Sequence, residues 1–306
     1  MEIYLPIAEM SVNWLIVLGM GGAVGFLSGM LGVGGGFLLT PLLIFYGVPS
    51  EVAVATTASH LTASSMAGTL AQWRRRTVDL KMGAVMIAGG LIGTALGVYL
   101  FGLLRRAGQS EIVVAASYVL LLGTIGSLML SEAISAIRAS RRGESASPRS
   151  TAHHNWIHGL PFKMRFRQSR LYISVIPPLA LGAFVGILAS VMGVGGGFIV
   201  VPAMIYLLRM PTNVVMGTSL LQVLVVTAFS TLLHAVDNFT VDIVLASLLI
   251  VSGVIGAQWG VRMGARLKGE ELRFLLAALV VAVALRLLYG LLATPRDLFS
   301  MTIGGT

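Results

Sequence analysis

The chain alternates long apolar stretches with short polar interruptions along its whole length. Eight hydrophobic segments recur, at about 12–46, 50–73, 80–104 and 111–137 and again at about 171–208, 211–236, 241–263 and 271–293. Each holds the roughly 20 residues that a helix needs to cross about 30 Å of hydrocarbon. The first and fifth segments are longer than one crossing requires, and both are interrupted by the same hexapeptide. GVGGGF runs from Gly32 to Phe37 and again from Gly193 to Phe198, followed in each case by a proline, Pro41 and Pro202.

The hexapeptide belongs to a longer duplication. GFLSGMLGVGGGFLLTPLLI from Gly25 matches GILASVMGVGGGFIVVPAMI from Gly186, and the match continues downstream. Pro49 aligns with Pro211, Thr56-Thr57 with Thr218-Ser219, His60 with Gln222 and Gln72 with His234. Thr77-Val78-Asp79 aligns with Thr240-Val241-Asp242, and Gly90, Gly93 and Gly97 align with Gly253, Gly256 and Gly260. The chain therefore divides into a first repeat, 1–137, a basic linker, 138–169, and a second repeat, 170–306.

The relative orientation of the repeats depends on what the broken segments do. If each crosses once, the loop Lys and Arg residues divide about thirteen to seven between the two faces. If each turns back at its glycines, the second repeat is inverted and about seventeen of the 21 fall on one face against three on the other, with Arg286 inside a span. The second division is the stronger bias, and it places the linker in the cytoplasm and both termini outside. Glycines permit positive φ and close backbone approach, and prolines are tolerated in the first turn of a new helix. The expected fold is an all-α polytopic membrane protein of two inverted-topology repeats. Each repeat is a glycine-broken helical hairpin plus three transmembrane helices, giving up to ten helices. The pattern leaves open whether the broken segments are re-entrant or full hairpins.

Composition supports a membrane class: of 306 residues 56% are hydrophobic and 11% charged, with a mean hydropathy of +0.90. MEIYLPIAEM lacks the basic start of a signal peptide, so the N-terminus is expected to be retained. The absence of cysteine removes disulfides, thiolate metal sites and thiol redox chemistry. The formal charge of +9 resides mainly in loops between spans, where it sets orientation; nucleic acid is not an expected partner.

A helix broken at membrane depth must be buried in protein or line a wet cavity. Paired breaks in inverted halves point to a substrate site at the midplane. Half-helices beginning near Phe37 and Phe198 aim unpaired N–H groups and positive dipole ends at that point, which favours an anion. The candidate substrate-binding residues are Gly34, Gly35, Gly36, Phe37, Thr57 and His60, with Gly195, Gly196, Gly197, Phe198, Ser219 and Gln222. Close helix packing is the competing explanation for the glycines, as for Gly93-Gly97 and Gly256-Gly260.

The acids Asp79, Glu111, Asp237 and Asp242 fall at loop edges, which argues against a cation carrier built on a central carboxylate. His60 and His234 are candidates for proton coupling, with a hydrogen-bonded packing role as the alternative. Arg286 either neutralises substrate or reaches outward to the interface. His153-His154 lacks a partner at ligand spacing, so a solvated loop is favoured over a metal site, and no cofactor is expected. Phe162 to Tyr172 alternates aromatic and basic residues and is expected on the anionic inner leaflet, making membrane lipids a partner. No catalytic constellation is present, so an enzyme is not expected. Oligomeric state is not readable, because glycine faces serve helices within and between chains; a homodimer stays open.

GFLSGMLGVGGGFLLTPLLIFYGVP and GILASVMGVGGGFIVVPAMIYLLRMP resemble the TauE/SafE family of membrane transporters, the sulfite exporters, and the resemblance covers nearly the whole chain. It implies a secondary transporter that exports a small sulfur-containing oxyanion, sulfite or an organosulfonate such as sulfoacetate, from a bacterial cytoplasm by alternating access. The family motif carries over to Gly34, Gly35, Gly36 and Pro41 and to Gly195, Gly196, Gly197 and Pro202. A passive anion channel, or a permease for a different small anion, is the alternative.

Overall fold

A computed structural model describes residues 2–31, 36–141, 162–166, 168–169, 171–208, 210–264 and 269–292. Gly34, Gly35, His153-His154 and most of the expected linker lie outside the described residues. The first half contains strands β1 (Glu2–Leu5) and β2 (Met10–Asn13) and helices α1 (Trp14–Leu31), α2 (Gly36–Phe45), α3 (Ser50–Arg74), α4 (Leu80–Arg106) and α5 (Ser110–Arg141). The second half repeats that order with β3 (Lys163–Phe166), β4 (Leu171–Ser174), α6 (Ile176–Met192), α7 (Gly197–Tyr206), α8 (Thr212–Leu233), α9 (Ile243–Gly264) and α10 (Gly269–Leu292). A π-helical turn, His234–Asn238, extends α8.

The protein is an all-α membrane protein. Four of its spans, Leu80–Arg106, Ser110–Ser131, Val214–Asn238 and Ile243–Gly260, are long and apolar enough to cross a bilayer. Helix α3 has the length but carries Thr, Ser and His along it, and Thr56, Thr57, His60, Ser65 and Thr69 are all buried in protein. Enclosure by other helices is what makes such a polar helix tolerable at membrane depth. Pro41 and Pro202 lie in the second turns of α2 and α7 rather than in the first turns. The sequence pattern did not anticipate the two antiparallel hairpins, β1–β2 and β3–β4. Each turns one apolar edge inward, through Leu5 and Val12 in one case and Phe166 and Ile173 in the other. The basic-aromatic stretch after Phe162 is therefore a hairpin, with Phe162 78% and Tyr172 61% exposed.

Glycine faces set the helix pairing. A Cβ on Gly25 would meet the backbone of Gly253, and one on Gly29 the backbone of Ala257, so α1 and α9 run in the same direction at backbone contact. Gly89 meets Leu179, Gly93 meets Ala183 and Gly97 meets Ile187, which makes α4 and α6 a second parallel pair of the same kind. Such close approach gains dispersion contact, the main attraction left between helices in lipid. Between the two pairs α3 and α8 cross antiparallel, Thr62 bonding Thr227 at 2.9 Å while Gly68 faces Leu220.

The first broken segment folds back. The amide of Asn13, just before α1, donates to the Tyr46 hydroxyl, just after α2, at 3.1 Å, and Gly47 lies against Met10. One and the same polar clasp ties each half to the other. Asp79 caps α4 by accepting from the amides of Lys81 and Met82, and its second oxygen accepts from the amide and hydroxyl of Ser169, ahead of α6. Its own amide donates to Thr218 of α8. Asp242 repeats this: its carboxylate accepts from the amides of Leu245 and Ile7, and its amide donates to Thr56 of α3.

Two stability outcomes follow from these contacts. Gly93→Ala drives a methyl into the Ala183 carbonyl, with an expected loss of about 3 kcal/mol or more, whereas Gly19→Ala, with nothing within 4 Å, is neutral or stabilising by up to about 1 kcal/mol. Melting temperatures of the detergent-purified variants check this pair. Asp79→Ala strips the cap and the Ser169 anchor and is expected to cost about 2 kcal/mol, again as a lowered melting temperature.

Candidate functional site

The starts of α2 and α7, each just after a glycine break, meet face to face. Phe37, the second residue of α2, stacks on Phe198, the second residue of α7, with ring centroids 4.7 Å apart and planes at 19°. Both rings are almost wholly buried. Helix α6 ends at Gly193 with φ 71°, and Gly195 (φ 70°) and Gly196 (φ 75°) continue the turn in the left-handed region before α7 begins. A side chain at these positions is strained whatever space is available.

The second break is well supplied with partners on its outgoing side. The Met192 carbonyl accepts from the buried Tyr118 hydroxyl of α5 at 2.7 Å, and Gly193 N–H returns to Ala189. The amides of Ile199 and Val200 bond the Gly196 carbonyl. Those of Gly197 and Phe198 find no acceptor among the described residues, so they are the donors that the dipole of α7 presents at the break.

Helix α3 closes the site from the side. Leu61 lies against both Gly36 and Gly195, and Val54 lies against Gly193. Thr57, one turn from Leu61, is fully buried with no partner for its hydroxyl. Ser219, its repeat counterpart, instead bonds the Met216 carbonyl of its own helix at 3.1 Å.

His60 and Gln222 each lie against a glycine of a neighbouring helix. The His60 ring sits against Gly253 on α9, and the Gln222 amide lies beside Gly90 on α4, the repeat counterpart of Gly253. His60 is 2% exposed and Gln222 0%; neither ring nitrogen of the one and neither amide atom of the other has a hydrogen-bond partner. Orphaned buried polar groups cost about 1–3 kcal/mol each, so a matched pair of them at equivalent positions calls for a ligand or water to meet them.

His234 is the opposite case. Its Nε2 lies 2.9 Å from the Ser190 carbonyl and its Nδ1 3.0 Å from Asn238 Nδ2, with its edge on Phe101. Both ring nitrogens are occupied. The Arg286 guanidinium stands 5.1 Å over the Phe45 ring at the end of α2. No group of His, Asp and Glu suited to a metal ion occurs among the described residues.

Three residues escaped the reading of the sequence. Asp79 and Asp242 carried a signal in the repeated Thr-Val-Asp triplet, but a loop-edge position gave no hint of a bond across repeats. Tyr118 gave none, being one aromatic in an apolar span.

Comparison with known proteins agrees with this architecture. The profile described as sulfite exporter TauE/SafE matches residues 17–287. A probable membrane transporter protein of Xylella fastidiosa strain Temecula1 is 30% identical over 295 residues, covering 92% of this chain and 97% of that protein. The probable membrane transporter protein YjnA of Bacillus subtilis strain 168 is 24% identical over 282 residues, covering 91% of this chain and all of that protein. No solved structure matches. A duplicated glycine-broken hairpin, a helical membrane fold and a family match over most of the length make this chain a membrane transporter of the sulfite exporter TauE/SafE family.

Proposed function

We propose that this transporter moves a small sulfur-containing oxyanion, sulfite or an organosulfonate such as sulfoacetate, by alternating access between two inverted repeats. The observation that carries the reading is the Phe37–Phe198 stack, which brings the N-terminal ends of α2 and α7 together inside the protein. Two opposed helix N-termini offer several N–H donors without a desolvated cation. The three oxygens of a sulfite or sulfonate group suit such a donor set. Thr57, His60 and Gln222 add the unpartnered side-chain groups that the ligand or its waters engage as the helices shift.

Inversion is supported by direction: α1 runs with α9, α6 runs with α4, and α1 is joined to α2 as a hairpin whose ends meet at Asn13 and Tyr46. The Lys/Arg distribution supports an orientation with the face bearing β1–β2 outside and the linker in the cytoplasm. Burial supports a carrier over an open pore, since Phe37, Thr57, Phe198, Ser219 and Gln222 are all sealed to 3% exposure or less.

Flux assays in liposomes test this. Saturable uptake of sulfite or sulfoacetate is expected, and Gly196→Val, which combines φ 75° with a collision against Val185, is expected to abolish it while leaving membrane insertion and monodispersity intact. Full flux in Gly196→Val removes the break from the transport path. Gln222→Leu, which substitutes an apolar group of similar size, is expected to weaken apparent substrate affinity about tenfold, in line with one lost hydrogen bond to an anion. An unchanged KM removes Gln222 from the site.

A further inference from the structure

A water-accessible cavity of about 830 Å³ opens between the end of α4 and the end of α8, away from the glycine breaks. Tyr99, Arg105 and Arg106 line one wall, and Leu233, Asp237 and Asn238 line the other. It lies on the face that bears β1–β2, because α4 ends where α3 and α9 begin. The Arg105 Nε pairs with Glu51 in the first turn of α3, and its NH1 donates to the Asn238 carbonyl.

Beneath Asn238 the polar contacts continue inward. The Asn238 amide donates to His234 Nδ1, and His234 Nε2 donates to the Ser190 carbonyl. A carbonyl only accepts, so Nε2 carries the ring proton and Nδ1 is the acceptor, which fixes a neutral tautomer. Ser190 stands three residues before Gly193 and the second break. His234 is 0% exposed and Asn238 7%, so a buried run of hydrogen bonds leads from the cavity wall at Asn238 to the end of α6. The pair lies four residues apart in the π-helical turn His234–Asn238, a spacing at which helical side chains are neighbours.

No such bridge occurs at the equivalent position of the other half among the described residues. Gln72, the repeat counterpart of His234, is partly buried and accepts from the Thr77 hydroxyl five residues along its own chain. The repeats have matching helices and matching Asp clasps, yet at this pair of equivalent positions His234 bonds across to α6 while Gln72 is bonded within its own segment. A difference of this kind between repeats is what distinguishes the two ends of an alternating-access path.

We propose that the Asn238–His234 bridge is the closed outer gate of the access path, with the cavity as its vestibule and the second glycine break as its inner end. The proposal rests on the transporter reading above, and its readout is accessibility rather than flux. The gate opens when His234 leaves the Ser190 carbonyl, which frees α6 and its glycine turn to move against α8. Arg105 holds Asn238 in place from the vestibule side through its bond to the Asn238 carbonyl.

The chain contains no cysteine, so an introduced thiol is unique. Ser190→Cys is reconstituted in vesicles and exposed to a membrane-impermeant methanethiosulfonate reagent on the face bearing β1–β2. Slow labelling is expected with the bridge intact. Adding His234→Ala or Asn238→Ala is expected to speed it about tenfold, the effect of losing about 1.4 kcal/mol of hydrogen bonding that favours the shut state. His234→Gln, which keeps a donor for the Ser190 carbonyl, restores most of the protection. Ser65→Cys, buried in α3 toward the opposite face, reports general loosening and is expected to label at an unchanged rate. Rates at Ser190→Cys that stay within about twofold in both bridge variants overturn the gate, as does equal acceleration at Ser65→Cys. Absence of sulfite flux in the same vesicles bears on the substrate reading and leaves the accessibility result to decide the gate.

Discussion

Everything in this protein answers to one constraint: backbone N–H and C=O groups cannot face lipid unsatisfied. A helix broken by GVGGG exposes such groups at both broken ends. The second break meets the demand with local partners, the Tyr118 hydroxyl on the Met192 carbonyl and the Gly196 carbonyl under the first turn of α7. The start of α2 covers what remains, through the stack of Phe37 on Phe198. The Gly197 and Phe198 amides, which lack an acceptor among the described residues, thus sit beside this buried stack.

Sheltering the breaks requires the halves to interlock, and two contact types achieve this. Glycine faces let α1 approach α9 and α4 approach α6 at backbone distance, each pair drawn from opposite repeats. The Asp79 and Asp242 clasps then fix the register of those pairs, because each carboxylate holds the segment leading into the partner helix. Neither repeat has a complete core of its own. The weakly held part is the polar layer along α3 and α8, where Thr57, His60 and Gln222 stay unpaired. Close apolar helix pairs thus flank a polar layer whose buried groups lack partners among the described residues.

Much of this was legible beforehand. The segments at 50–73, 80–104 and 241–263 correspond closely to α3, α4 and α9, because span length and apolar content are local properties of the chain. The breaks were legible because three consecutive glycines followed by proline leave the backbone few alternatives. The two β-hairpins were not, since four-residue strands beside spans carry too little pattern to stand out. His60 and His234 looked alike in sequence, each a lone histidine in an apolar helix. The fold separates them: His234 finds a carbonyl and an amide, while the His60 ring lies against Gly253 with neither nitrogen hydrogen-bonded among the described residues.

The sequence alone determined that the chain is a duplicated helical membrane protein with paired breaks, because hydrophobic length, glycine freedom and internal repetition are written in the order of residues. Only the tertiary structure decided which surfaces meet. Gly25 packs on Gly253, Asp79 reaches Ser169, Phe37 finds Phe198, and His234 bonds Ser190. Each of these joins residues 44 or more positions apart in the chain. Such pairings arise from the mutual burial of two halves, and neither half's sequence contains the other's position.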